Sequence, residues 1–210
     1  MFGTQHLLTF LLAAIALNLV PGQDTLYIIG RSLSQGRRAG IVSVLGIGSG
    51  CLVHITAAAI GLYSVLALWP PAFSLIADAG ALYLIFLGIM VWVNRKPIDL
   101  SGKPGTASDS DWLIYRQGMM TNLLNPKVAL FFLAFLPQFI DPVSNLGAFS
   151  FLFLGLVFFC TGSVWCTVIA LFASSVANTL RERPKVQMGF DLFTAMLFIA
   201  LGAGLFLTHL

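Results

Sequence analysis

Charge is what this sequence has least of. Asp, Glu, Lys and Arg make up 9% of its 210 residues, while 58% are hydrophobic. A water-soluble domain carries roughly a quarter charged residues, so that class is excluded. A mean hydropathy of +0.93 marks a polytopic membrane protein, and the length suits one domain. Cysteine is scarce as well. Cys51, Cys160 and Cys166 all lie in apolar runs, where a thiol packs as a small hydrophobe, so no disulfide framework is expected. No phosphate-binding loop is present, so nothing predicts ATP hydrolysis. No cofactor, no metal and no nucleic-acid partner are expected; the partner the composition implies is the lipid bilayer. The first residues lack the basic stretch and cleavage site of a secretory signal, and the first apolar run is expected to remain as a span.

What the chain does have is six apolar runs: about His6–Ile29, Ile41–Leu68, Phe73–Val93, Leu113–Ile140, Phe149–Val176 and Val186–Thr208. Basic residues fall in alternate connections. Arg31, Arg37 and Arg38 follow the first run; Arg95, Lys96, Lys103 and Arg116 follow the third; Arg181, Arg183 and Lys185 follow the fifth. The positive-inside rule puts these connections in the cytoplasm and both termini outside it. Trp69, Trp92 and Trp112 stand at run ends, as interfacial anchors do. The polar stretch 94–111 reads as a cytoplasmic linker between a first half (1–94) and a second half (112–210) of a single transmembrane domain. Three spans per half is an odd number, so the halves must be inverted relative to each other. The expected fold is all-α: six transmembrane helices as two inverted three-helix repeats, the pattern of secondary transporters.

Lys127 is the basic residue outside this scheme. It sits in Asn122-Leu123-Leu124-Asn125-Pro126-Lys127, in the middle of the fourth run. Asn125 suits an N-cap, Pro126 the first helical position and Lys127 the first turn. The first run carries a similar interruption, Asn18-Leu19-Val20-Pro21-Gly22-Gln23-Asp24. Each break lies about ten residues from a flanking arginine, or ~15 Å, which is near the middle of a ~30 Å hydrocarbon core. The first helix of each repeat is therefore expected to be broken at mid-depth, at Pro21-Gly22 and at Pro126.

A charge at that depth is costly, and intramembrane ionisable groups mark transport paths. Asp24 can serve a substrate ammonium or a coupled proton; the plainer reading is dipole compensation in the first turn of a half-helix. Lys127 in a first turn opposes that dipole unless an anion arrives, either Asp24 or a substrate carboxylate. Its plainer reading is snorkelling towards an interface. Asn18, Asn122 and Asn125 can contact substrate or simply satisfy the broken backbone. Gln23 can reach substrate or face solvent. His54 is either a hydrogen-bonded packing residue or, with Asp24, part of a proton relay. Asp78 and Asp191 are expected in first turns of helices, as charge compensation. Gly46, Gly48, Gly50, Ala57, Ala58 and Gly61 read as a close-packing face, within a protomer or between the two protomers of a homodimer.

The segment from Asn122 through Asn125-Pro126-Lys127 to Phe139 resembles the central motif of the LysE/RhtB family of amino-acid exporters. Pro21-Gly22-Gln23-Asp24, Arg31 to Gly40, Gly46-Ile47-Gly48-Ser49-Gly50 and His54 resemble its N-terminal signature, with Gln23 where the family often has a second Pro. The resemblance covers essentially the whole chain. It implies a bacterial inner-membrane permease exporting amino acids or their derivatives, driven by the proton-motive force. Asp24, Asn125, Pro126 and Lys127 fall on the signature positions. In the empty protein Asp24 and Lys127 are expected to neutralise each other. The alternatives are a cation or metal exporter of related architecture, which would want several converging ligands, and an intramembrane thiol relay, which would want cysteines at the breaks.

Overall fold

The computed structural model describes residues 3–69, 71–93, 109–141, 144, 146–182 and 184–209. Of the linker expected at 94–111, only 109–111 are described; Arg95, Lys96, Lys103 and the two chain ends lie outside the described residues. Every described element is helical: α1 (Leu7–Leu19), α2 (Gln23–Ala57), a π turn (Ala58–Leu62), α3 (Tyr63–Leu68), α4 (Ala72–Val93), α5 (Asp111–Leu123), α6 (Pro126–Leu130), a second π turn (Phe131–Phe135), a 3-10 turn (Leu136–Phe139), α7 (Ala148–Leu171), α8 (Ala173–Glu182) and α9 (Pro184–His209). The β-type pairing among the described residues is an isolated antiparallel bridge between Thr4 and Ile140.

Gly36 divides α2 into two arms. Its φ of 83° with ψ of 178° is a conformation open in practice to glycine alone, and it falls where the sequence separates the first two apolar runs. Gln23–Leu66, Ser74–Val93 and Ala148–Leu171 are each long and apolar enough to cross a membrane. Asp111–Leu123 and Pro126–Phe139, bent by 47°, form a further crossing if taken as one. Helix α1 has 13 residues and rises only ~20 Å, so alone it is short of the ~30 Å core.

Glycine sets how closely the helices approach. A Cβ on Gly50 would stand 2.7 Å from the Met119 carbonyl oxygen and 2.9 Å from Asn122 Cβ, and one on Gly118 would stand 2.9 Å from the Ser43 carbonyl oxygen. The far arm of α2 and α5 therefore meet backbone to backbone. Of the glycines expected on one face, Gly46 and Gly50 serve this contact, Gly48 faces Phe159 on α7, and Gly61 faces open space. Helices α4 and α9 meet the same way: a Cβ on Gly88 would lie 2.7 Å from the Ala195 carbonyl oxygen, and one on Gly202 would lie 2.6 Å from that of Ala81.

Two apolar clusters fill the interior. One gathers Phe10, Leu17, Ile55, Phe131, Phe135 and Phe158; the other gathers Ile28, Ile29, Val44, Ile47 and Ile169. Polar ties fasten the two ends of the broken-helix pair. Gln5 N donates to the Phe139 carbonyl and Asp141 N to that of Gly3, both at 2.9 Å. Arg31 pairs with Asp109 at 2.6 Å and Arg38 with Asp111 at 2.7 Å. Tyr27 Oη donates to the Ile114 carbonyl at 2.7 Å. Asp78 departs from expectation. Helix α4 begins at Ala72 and has no acid in its first turn; Asp78 stands six residues further on, in the second turn.

A side chain at Gly50 has to push α5 away. Gly50→Leu should lower stability by about 1–3 kcal/mol, as overpacking does, while Gly61→Ala should change it little. Thermal unfolding of the two purified variants in detergent checks the contrast.

Candidate functional site

Both breaks follow from proline. Val20, before Pro21, is extended at φ −65°, ψ 118°, and Gly22 is extended at φ −140°, ψ −166°. Asn125, before Pro126, is extended at φ −75°, ψ 107°, the bias a following Pro imposes. Asn125 caps α6, its Oδ1 accepting from Lys127 N at 3.0 Å, with Pro126 at the start of the helix. The two breaks lie side by side. Asn122 Nδ2 donates to Asp24 Oδ2 at 2.9 Å and Asn125 Nδ2 donates to the same oxygen at 3.2 Å. The carboxylate of the first break is thus held by two amides of the second. Asp24 also lies in the first turn of α2, where the helix dipole favours a negative charge.

Lys127 takes a different partner from the one expected. Its Nζ donates to the carbonyls of Leu17 and Val20, each at 3.1 Å. Among the described residues the ion pairs are those of Arg31 and Arg38, and none joins Asp24 to Lys127. The reason is electrostatic. Helix α1 ends at Leu19, and its last carbonyls, freed by Pro21, form a negative helix end. The ammonium leaves the positive end of its own α6 and caps that one. Gly22 leaves room for it: a Cβ there would stand 3.3 Å from Nζ.

Between the breaks lies a cavity of about 50 Å³ lined by Asn18, Gly22, Asp24, Asn122, Lys127 and residues of α2 and α7. That is room for a few water molecules. Asp24 Oδ1 and Asn122 Oδ1, on two of the lining residues, are buried without a hydrogen-bond partner. Unpaired buried acceptors are uncommon and call for a donor. Lys127, with three N–H bonds and two used, retains one. The site therefore offers open acceptors on one side and an open cationic donor on the other, on a largely apolar lining at the seam of the two clusters.

The other sequence candidates divide. Asn18 lines the cavity and donates to Thr161 Oγ1 at 3.1 Å. Gln23 is exposed and lines a separate open groove with Tyr27, Arg116, Gln117 and Thr121. One residue along a helix turns the side chain by about 100°, enough to carry Gln23 out of the site that Asp24 enters. His54 Nε2 donates to the Asn122 carbonyl at 3.2 Å and its ring stacks on Phe132. It lines a third, apolar groove with Ala57, Gly61, Ala129 and Leu133. Sequence reasoning missed the contribution of α7. Phe158, Phe159, Gly162, Ser163 and Cys166 line the cavity, a spacing of three to four that marks one helical face. Cys51 lines it too. Contrary to expectation, two of the three cysteines face the space between the breaks. Among the described residues, no group of three or more His, Cys, Asp or Glu side chains is placed to hold a metal ion.

A helical membrane protein with two broken helices apposed around a cavity lined by a carboxylate and an ammonium is built as a transporter. Residues 15–209 match the LysE type translocator family, and the chain belongs to it; members of this family are transporters and not enzymes. It is 31% identical over 194 residues, 92% of each chain, to a homoserine/homoserine lactone efflux protein of Salmonella typhimurium, and 30% identical over the same length to one of Salmonella typhi. It is 36% identical over 138 residues, 66% of each chain, to an uncharacterized membrane protein of Vibrio cholerae serotype O1. No solved structure matches it.

The Asp24–Asn122 bond carries a prediction. In a double-mutant cycle of Asp24→Ala and Asn122→Ala, unfolding in detergent should show a coupling of about 1.5–3 kcal/mol, the range for hydrogen bonds to a charged group. Additive effects would mean that the two breaks are not joined in this way.

Proposed function

We propose that this protein exports a small amino acid or amino-acid derivative across the bacterial inner membrane, driven by the proton-motive force. The observation that carries the reading is one cavity lined by both Asp24, whose Oδ1 has no hydrogen-bond partner, and Lys127, whose ammonium gives two of its three N–H bonds to backbone carbonyls. A zwitterion presents an ammonium and a carboxylate. The ammonium replaces the missing donor at Asp24 and Asn122, and the carboxylate takes the remaining N–H of Lys127. Homoserine and its lactone, named for the Salmonella relatives, share the ammonium but not the carboxylate. The Asp24 side would then be the common anchor, and Lys127 would meet a carboxylate or an ester carbonyl.

The cavity is too small for such a molecule as it stands, so binding requires the surrounding helices to part. In the proposed cycle the single domain works as two inverted three-helix repeats, 1–94 and 112–210, joined by the linker at 94–111, with both termini outside the cytoplasm. One half rocks against the other about the shared breaks. A proton on Asp24 removes the carboxylate charge and lets the carrier reset. His54 buttresses the Asn122 peptide rather than touching substrate, since it faces another groove. Pairing as a homodimer is compatible with this cycle and is not required by it. The cation-exporter alternative is disfavoured because an ammonium stands in the cavity beside the carboxylate and repels a metal ion.

Inverted vesicles with an imposed pH gradient and labelled homoserine test the reading. The wild type should accumulate label only with the gradient. Asp24→Asn should insert normally and lose gradient-driven uptake by at least tenfold. Uptake retained in that variant would exclude Asp24 as the proton carrier.

A further inference from the structure

In broken-helix transporters the freed carbonyls at a half-helix C-terminus are the groups that coordinate a coupling alkali cation. Here the corresponding carbonyls, Leu17 and Val20 at the end of α1, are already occupied. What occupies them is the Nζ of Lys127, at 3.1 Å from each. A carboxylate with an open oxygen, Asp24, lines the same cavity. Two convergent backbone oxygens, a nearby anion and a cation between helix ends make a monovalent cation site by charge and by donor type.

We infer that the Lys127 ammonium is a tethered substitute for an alkali cation, and that the carbonyls of Leu17 and Val20 form a monovalent cation site, with the Asp24 carboxylate lining the same cavity, in which that cation is covalently supplied. The inference rests on reading the two breaks as halves of one transport site. The geometry supports it in two further ways. Gly22 lacks the side chain that would stand 3.3 Å from Nζ, so the space beside the carbonyls is kept for the ammonium. Lys127 also points away from the unfavourable positive end of α6, to a place where a cation is needed whether or not substrate is bound. The titratable groups lining the cavity beside Lys127 are Asp24, Cys51 and Cys166.

The consequence is specific. The wild type should be indifferent to Na⁺, whereas removing the ammonium should leave a vacancy that an alkali cation can fill. The test is thermal unfolding of the full-length protein in detergent, without substrate, in NaCl, LiCl, KCl or choline chloride at equal ionic strength. The wild type should melt at the same temperature in all four salts. Lys127→Ala and Lys127→Met should melt lower in choline chloride and recover by about 3 °C or more in at least one alkali salt. Variants that melt alike in every salt overturn the inference, as does a wild type stabilised by Na⁺ over choline. If neither variant stays folded in choline chloride, purification in the alkali salts decides: folded protein in one of them supports the site, and failure in all of them overturns it. No substrate enters the measurement. A wild type that fails to export amino acids would refute the proposed function and leave this result standing, and the reverse also holds.

Discussion

A helix that stops inside an apolar interior leaves carbonyls in need of donors, and the rest of this site is arranged around that constraint. Pro21 ends α1 after Leu19 and strands its last acceptors. Each unsatisfied backbone group in such surroundings costs several kcal/mol. Lys127 resolves the problem by lending its ammonium to Leu17 and Val20. This contact also settles why a lysine can sit in the first turn of α6. Its charge is displaced about a side chain's length from its own helix, to the negative end of another.

The carboxylate is treated in the complementary way. Asp24 stays in the first turn of its own helix, where the dipole favours it. Two amides from the second break share one of its oxygens. Opposite charges are thus each held at a helix end, without a direct ion pair between them. A direct ion pair would have to be broken at every turnover. In the proposed cycle two ions anchored to backbone and amide keep those anchors while substrate comes and goes. The glycine contacts between α2 and α5 make this possible, because they bring Asn122 close enough to reach across.

Much of this was legible in the residues, and the remainder was hidden for identifiable reasons. Pro21 and Pro126 announce the breaks, since a proline in an apolar run removes a donor and bends the chain whatever packs around it. Asn125 as a cap follows from its place before Pro126. The alliance of Lys127 with α1 was not legible, because two helix ends and a carboxylate all compete for one ammonium and only the tertiary placement decides. Gln23 looked equivalent to Asp24 because it is adjacent, but one step along a helix changes the direction of the side chain. The α7 face from Phe158 to Cys166 carries the spacing of a buried stripe without any charge to draw the eye. The far arm of α2 hid Cys51 in the same way.

The Asp24–Asn122 hydrogen bond joins residues 98 positions apart in the chain. At a synthesis rate of ~5–20 residues per second, the carboxylate emerges from the ribosome roughly 5–20 seconds before the amide that will hold it. During that interval the opening segment has neither the Lys127 ammonium over α1 nor the amides around Asp24. The hydrogen bonds that satisfy the first break therefore form only after the second break has been made.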